Sequence, residues 1–363
     1  MNLSRSLMIT FGLCAAVHPL AADDAPGAVY TMTNAPPNAV MVYSRSAAGT
    51  LTPAGPFATG GIGTGTDLGN QGAVVLSRNN RWLFAVNAGS NDVSVFDVLP
   101  KGLELVDRVP SGGNLPVSVT VHGKLVYVLN AGDPNNITGF SLSRDGKLTP
   151  LAGSTRPLSA AMTGPAQVHF SPDGDLLVVT EKATNVIDVF SIDDGLPGAR
   201  VPTVSNGATP FGFSFGLRDQ VFVSEAFGGA LDASAVSSYS ANADGTLTLV
   251  TGSAPTTETA ACWVVVTDDG RFAYTTNTGS DSITGYRISH DGRLTILDAD
   301  GRTAVTGPGS APIDLALSLG SQFLYSLDSG DHKISAFRVN SDGSLVPLGT
   351  VPAPPTANGL AGR

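Results

Sequence analysis

Two glutamates at equivalent positions of neighbouring segments are the residues of this chain best suited to chemistry. Glu181 and Glu225 each end a short apolar run, and Lys182 directly follows the first. Glutamate has one methylene too many for the local turn bonds that Asn and Asp make at such places. Two carboxylates beside a lysine can hold a proton, a cation or a polar ligand. We therefore predict Glu181, Lys182 and Glu225 as catalytic residues, with a solvated ion pair of the lysine as the alternative.

The glutamates belong to a position that recurs seven times along the chain. These polar positions lie 43 to 53 residues apart: Asn34, Asn87, Asn130, Glu181, Glu225, Asn277 and Asp328. Each ends an apolar run and is followed by a buried-type aromatic residue and then by glycine and leucine. This period is typical of the four-stranded blades of a propeller. The sequence thus predicts an all-β fold, a seven-bladed β-propeller of four-stranded antiparallel blades.

The first repeat lacks an inner strand of its own. At the other end of the chain, residues 355–361 look like one more copy of the segment around Pro312–Ala316. We predict that this C-terminal segment supplies the innermost strand of the first blade. The two chain ends would then close the ring, leaving no open sheet edge.

In such a ring the seven polar strand ends share one face, around one mouth of the central channel. We predict that the following side chains there bind ligand: Gln167, Trp263, Asn87, Asn130, Asn277, Asp314 and Asp328. The alternatives are local turn bonds for the Asn and Asp residues and packing between blades for Trp263. His169 is predicted to be a buried, hydrogen-bonded histidine, and His122 and His290 to lie in turns on the opposite face.

The first 22 residues have the pattern of a secretory signal peptide. One arginine precedes an apolar run too short to span a bilayer, and Leu20-Ala21-Ala22 provides a small-residue cleavage site. We predict a signal peptide over residues 1–22, a single propeller domain over 23–363 and a secreted or periplasmic monomer. The net charge of −10 argues against nucleic acid and anionic membranes as partners.

Cofactor motifs are not evident in the chain. No Cys/His cluster has zinc spacing, and no calcium-loop motif occurs. The glycine-rich run 60–65 lacks the Lys-Ser/Thr of a phosphate-binding loop and is interpreted as a flexible connection between blades. We expect no cofactor, although a divalent cation in the channel stays open as an alternative without support from spacing.

Three repeat strings resemble one known family: SPDGDLLVVTEKATNVIDVFSI, TDDGRFAYTTNTGSDSITGYRISHDGRLTIL and RWLFAVNAGSNDVSVF. They resemble the seven-bladed lactonases, which include 6-phosphogluconolactonases and carboxymuconate cyclases, and the related YVTN-type repeat proteins. The resemblance implies a carboxylic ester hydrolase with a pair of histidines, at whose places Gly164 and Ala166 stand.

Two hypotheses follow from the resemblance and the candidate residues. The first is an exported hydrolase of a lactone or sugar-acid ester, in which the glutamates transfer protons and Lys182 stabilises the developing oxyanion. The second is a propeller that binds a small ligand or an extracytoplasmic protein without turnover.

Overall fold

Seven antiparallel sheets form the molecule in the computed structural model, which describes residues 26–363. The predicted signal peptide lies outside these residues. The first blade contains β30 (Asn358–Gly362), β1 (Gly27–Met32), β2 (Ala39–Arg45) and β3 (Leu51–Ala58) from the channel outward. The second contains β4 (Val74–Leu76), β5 (Trp82–Asn87), β6 (Asp92–Leu99) and β7 (Gly102–Pro110). The third contains β8 (Pro116–His122), β9 (Leu125–Asn130), β10 (Asn136–Leu142) and an outer edge split into β11 (Leu148–Pro150) and β12 (Arg156–Pro157).

The other four blades repeat this order. The fourth contains β13 (Pro165–Phe170), β14 (Leu176–Glu181), β15 (Val186–Asp193) and β16 (Leu196–Val204). The fifth contains β17 (Pro210–Phe215), β18 (Gln220–Glu225), β19 (Ala235–Ala241) and β20 (Leu247–Pro255). The sixth contains β21 (Ala261–Val266), β22 (Phe272–Asn277), β23 (Ser282–Ile288), β24 (Leu294–Ile296) and β25 (Ala304–Val305). The seventh contains β26 (Pro312–Leu317), β27 (Phe323–Asp328), β28 (Lys333–Val339) and β29 (Leu345–Pro352). Two short 3-10 turns, Phe227–Gly229 and Leu319–Ser321, complete the regular structure of the described residues.

The inner strands contact one another in sequence around a closed ring, from β30 through β4, β8, β13, β17, β21 and β26 back to β30. Strand β30 pairs antiparallel with β1, and Ala28 and Arg363 exchange two backbone hydrogen bonds of 3.2 and 2.9 Å. The predicted closure of the first blade by the C-terminus is confirmed. Closure in this way pairs the edge of β1 that would otherwise be open, which stabilises a ring that has no disulfide within the described residues.

The repeated aromatic residues lie in the core between blades. All seven are buried: Tyr43, Phe96, Phe140, Phe190, Tyr239, Tyr286 and Phe337. Burying each such side chain contributes about 1.5–3 kcal/mol. The tyrosine hydroxyls bond to backbone groups outside their own blade: Tyr43 Oη donates to Pro352 O and Tyr286 Oη to Ala254 O, both at 3.0 Å, and Tyr239 Oη accepts from Asn206 N at 2.9 Å. The aromatic repeat therefore fixes how consecutive blades dock.

The ring has two faces, which differ in the length of the connections that they carry. The anchor face is the one at which the second strand of each blade ends, at residues such as Asn130 and Glu181. The turn face is the opposite one, where short turns such as His122–Leu125 join the inner strand to the second strand.

Candidate functional site

The seven polar strand ends lie on the anchor face, where Asn130, Glu181, Glu225, Asn277 and Asp328 each pair with the first residue of the inner strand. Pro165 lies opposite Glu181, and Pro210 lies opposite Glu225. Both glutamate side chains are fully buried, however, and do not open into the channel mouth. Both glutamates therefore end the strands that the repeat predicts, but their side chains lie in the interior of the blades.

Glu181 is held by three hydrogen bonds from the connection that precedes its blade and from the turn that follows it. Oε1 accepts from Ser159 N at 2.9 Å, and Oε2 accepts from the hydroxyls of Ser159 and Thr184. Burial, together with the neighbouring Glu181 carboxylate, raises the pKa of Asp188 to about 7, although Arg200 lies 2.8 Å away. Glu181 thus belongs to a buried polar network.

Glu225 has an equivalent arrangement in the fifth blade. Oε1 accepts from Gly207 N at 2.8 Å and from Ser237 Oγ at 2.5 Å, and Oε2 accepts from Ser253 Oγ at 2.6 Å. In both blades the carboxylate reaches a backbone N–H of the connection between blades, at Ser159 or Gly207. The additional methylene of glutamate provides that reach. The catalytic role of Glu181 and Glu225 stays a prediction, and this geometry supplies a structural reason for their presence.

The other strand ends bond through shorter side chains to groups of their own blade or, for Asn130, of the preceding connection. Asn87 donates to Asp92 and Ser94, Asn130 to Ser111 O and Asn136, and Asn277 to Ser282 and Thr284. Asp328 accepts from Ser326 and Ser335 at 2.7 and 2.5 Å, and burial raises its pKa to about 7. All four are buried. Their predicted ligand binding is not tested by this geometry, which shows each bound to its own blade or the adjacent connection.

The remaining candidates lie near the channel but are also bonded to protein. Gln167 Oε1 accepts from Phe213 N at 2.7 Å, joining two neighbouring inner strands. Asp314 Oδ1 accepts from Leu315 N at 2.8 Å, and burial raises the pKa of this carboxyl well above its usual range. Trp263 donates from Nε1 to Asn70 O at 2.5 Å.

Lys182 lies close to Trp263 and is half-buried. Its Nζ donates to Gly69 O and lies 4.4 Å from the centroid of the Phe211 ring, which is itself 5.0 Å from the Trp263 ring. Burial lowers the pKa of Lys182, and the charge of Asp67 acts in the opposite direction. The structure therefore brings together Lys182 and Trp263 among the predicted residues, while the two glutamates lie in separate networks.

The connection between the first two blades crosses the channel at the anchor face. We call residues 67–72 the crossing segment. Gln71 N donates to Ala166 O at 3.0 Å, and the Gln71 side chain bonds to both backbone groups of Val264. Gly72 O accepts from Val119 N at 2.9 Å. A segment bonded to three blades is fixed, so the anchor-face mouth is occupied by the chain itself.

The turn-face mouth is open instead. A cavity of about 550 Å³ is lined by the ends of five inner strands and the turns after them. Its polar lining includes Arg78, His122, His169, Ser214 and Asp268. The short turns on this face leave the channel uncovered, whereas the longer connections on the anchor face cover it.

His169 is the titratable group best placed for proton transfer in this cavity. Its Nδ1 lies 2.7 Å from Phe170 O and therefore carries the proton, which leaves Nε2 as a base. Nε2 has no hydrogen-bond partner among residues 26–363. Burial lowers the pKa of His169, and the rings of Phe213 and Phe215 lie 6.3 and 5.8 Å away. The imidazole is consequently neutral at neutral pH.

Sequence reasoning placed His169 correctly as a hydrogen-bonded histidine but missed its open nitrogen. It also placed His122 correctly on the opposite face, although this residue ends β8 rather than lying in a turn, without seeing that it borders a cavity. Two signals were available, namely the shortness of the turns on this face and the length of the connection at residues 59–73. Only the path of that connection across the channel shows which mouth is open.

No group of three or more His, Cys, Asp or Glu side chains within residues 26–363 is arranged to hold a metal ion. None of the helical turns in the same range has the length and apolar content that a membrane span requires.

The chain resembles known proteins in sequence and in fold. A family model described as "Lactonase, 7-bladed beta-propeller" matches residues 28–158 and 231–357. A periplasmic gluconolactonase of Pseudomonas aeruginosa superposes with a TM-score of 0.74 at 18% identity, over 93% of this chain and 98% of that one. A putative 6-phosphogluconolactonase of Bacteroides fragilis gives 0.71 at 17%, over 94% and 99%. At such identities these likenesses establish the fold alone. The comparison with curated proteins found no match.

Proposed function

Because the chain belongs to the lactonase family of seven-bladed β-propellers, we propose that it hydrolyses a lactone or a related cyclic ester of a sugar acid. We place the reaction in the turn-face mouth. The observation that carries this assignment is the position of His169, which lines the cavity of about 550 Å³ and has an unbonded Nε2 on a neutral imidazole. Family membership provides the reaction class, and the histidine provides the base.

The reaction needs three events, and the lining residues supply a group for each. His169 Nε2 takes a proton from water as the water oxygen attacks the lactone carbonyl. The guanidinium of Arg78, which lines the same cavity, donates to the oxyanion that forms. The ring C–O bond then breaks, the leaving oxygen takes the proton from the imidazolium, and an open hydroxy acid is released.

We further propose that this hydrolysis takes place outside the cytoplasm. The pattern of residues 1–22 supports export, although these residues lie outside the described range. One of the structurally similar proteins is a periplasmic gluconolactonase.

Binding without turnover is a second candidate function, and one observation favours it. Gly164 and Ala166 stand where the family resemblance places two histidines. Ala166 is fully buried, and its carbonyl accepts from Gln71 N in the crossing segment. The anchor-face mouth therefore has neither the histidines nor the open space that a reaction there would require.

A panel of sugar-acid and small aliphatic lactones, followed by pH-stat titration of the released acid, tests the proposal. We expect turnover of at least one lactone, and a loss of about 10²–10⁴-fold in His169→Gln. His332→Gln is the matched control, because His332 is exposed in the turn between β27 and β28 on the anchor face. Lactone binding without acid release in the unmodified protein would support the second function, and full activity in His169→Gln would remove this histidine from the mechanism.

A further inference from the structure

A second cavity of about 470 Å³ opens on the turn face between the second and third blades. We call it the basic cleft. Four cationic side chains line it, namely Arg78, Arg81, Lys124 and Arg144. None of its twelve lining residues is Asp or Glu. The chain as a whole carries a net charge of −10. Such a concentration of positive charge on an acidic protein is the reverse of what its composition predicts.

The four cations come from three different turns. Arg78 and Arg81 flank the turn between β4 and β5, Lys124 lies in the turn between β8 and β9, and Arg144 follows β10. All four are exposed, and none takes part in a salt bridge within residues 26–363. Cations that converge on a concave surface without a carboxylate partner repel one another, and an anion between them removes that repulsion.

One of the cations is held in place by the fold. The guanidinium of Arg81 lies 4.4 Å from the centroid of the Trp82 ring, and Trp82 is itself buried. Stacking on an aromatic ring orients the planar guanidinium and leaves its edge donors for a ligand. A guanidinium presented in this way suits the paired oxygens of a carboxylate or phosphate.

We propose that the basic cleft binds a small, multiply charged oxyanion, with carboxylate or phosphate groups contacting Arg81, Lys124 and Arg144. This site goes beyond the proposed hydrolysis, because these three residues do not line the larger cavity around His169. Arg78 and His122 line both cavities, so the two sites are adjacent. An anion in the basic cleft therefore lies next to the channel mouth without occupying it.

Calorimetric titration of the whole protein with citrate and with pyrophosphate, at constant ionic strength, tests the proposal. The charged groups of citrate are carboxylates and those of pyrophosphate are phosphates. Comparing the two ligands therefore shows which of these groups the cleft binds. Glucose is the neutral comparison. We expect at least one anion to bind and glucose not to bind. If neither anion binds more tightly than about 10 mM, the proposal is wrong.

The double variant Lys124→Gln/Arg144→Gln is expected to weaken anion binding about tenfold or more, since it removes two charge-assisted contacts. Arg81→Gln is a second, independent variant with an expected loss in the same direction. Arg218→Gln is the charge-matched control for Arg81→Gln, because Arg218 is exposed in the β17–β18 turn of the same face and lies outside the cleft. Equal losses of anion binding in Arg218→Gln and in Arg81→Gln would show general attraction and overturn the site. Lactone hydrolysis should be unchanged in the double variant, so failure of this proposal and failure of the hydrolysis proposal are separate results.

Discussion

The side chain of Gln71 and the backbone of Val264 bond to each other twice across the channel. Gln71 Nε2 donates to Val264 O at 2.9 Å, and Val264 N donates to Gln71 Oε1 at 3.2 Å. One amide side chain thereby satisfies both polar groups of a residue in the free edge of an inner strand. The crossing segment takes the place that another strand or ordered water would otherwise have.

Gln71→Ala should consequently destabilise the protein. The change leaves the buried N–H and carbonyl of Val264 without partners, at a cost of about 1–3 kcal/mol for each group. Denaturant unfolding measures the difference. Gln322→Ala is the matched control, because Gln322 Oε1 has no hydrogen-bond partner within the described residues. If both variants lost the same free energy of unfolding, the hydrogen bonds to Val264 would contribute no more to stability than the packing of a glutamine side chain.

Substitution of Glu225 separates a structural from a catalytic role. The carboxylate accepts three hydrogen bonds and is fully buried, so Glu225→Ala should lower the free energy of unfolding by about 3 kcal/mol or more. Glu225→Gln retains most of these bonds and should cost about 1 kcal/mol. We expect the Gln variant to keep the specific activity of the folded protein.

The opposite result would support the catalytic role predicted for Glu225. A loss of about 10²–10⁴-fold in Glu225→Gln at unchanged stability would identify the carboxylate as a proton-transfer group. Measuring activity and stability of Glu181→Gln in the same way tests the role of Glu181, the equivalent residue of the fourth blade.

Asp328 should make the stability of the protein depend on pH. Burial raises its pKa from 3.8 to about 7, so the folded state binds a proton that the unfolded state releases between these values. This contribution to stability is complete below about pH 4 and is lost as the pH rises to about 7, at up to about 1.4 kcal/mol per pH unit.

The variant Asp328→Asn removes this titration. Asparagine occupies the equivalent position in four other blades, where its amide donates to hydroxyls and other oxygens, as in Asn277. We expect the variant to be more stable than the unmodified protein near pH 8, with a difference that shrinks toward pH 5. Asp175→Asn at an exposed carboxylate is the control, and the same trend in that variant would contradict the assignment to Asp328. A constant difference across this pH range would contradict the assignment to Asp328.

His169 predicts the pH profile of hydrolysis. Its neutral form is the base, and burial lowers its pKa below 6.5. Activity should thus persist at pH 6.5 and fall only as the pH drops through the lowered value. Measuring kcat/KM as a function of pH locates this acidic fall in activity for the free protein. A limb above pH 7 would indicate that another group is the base.

The fold was predictable because every blade repeats the same physical solution. The polar strand end, the interblade aromatic and the glycine-leucine turn recur together, and a period of 43 to 53 residues admits few other architectures. Even the borrowed strand of the first blade was visible, as a copy of the segment around Pro312–Ala316 at the end of the chain. Local patterns of this kind depend on contacts that each repeat makes with itself and its neighbours.

The site was less predictable because it depends on contacts between distant blades. Nothing in the sequence around Gln71 indicates that its partner is Val264, 193 residues away. The unusual Glu181 and Glu225 are equally explained by catalysis and by bonds to Ser159 N and Gly207 N, and only the structure shows those bonds. His169 looked like a core residue because its strand is apolar, and the cavity beside it forms from five strands at once.

Deletion of residues 354–363 should open the ring. Strand β30 pairs with β1 and contacts β4 and β26, so its loss leaves the first blade without an inner strand and exposes the free edge of β1. We expect a sharply lower melting temperature and a tendency to associate through that edge. A synthetic peptide of residues 354–363 provides the control, because an extended peptide can add to an exposed sheet edge and restore the missing pairing. Recovery of the melting temperature with this peptide, and none with a scrambled one, would show that the lost strand is responsible. A truncated protein that melts like the full chain would contradict closure by the C-terminus as a source of stability, since the seven blades would then hold together without it.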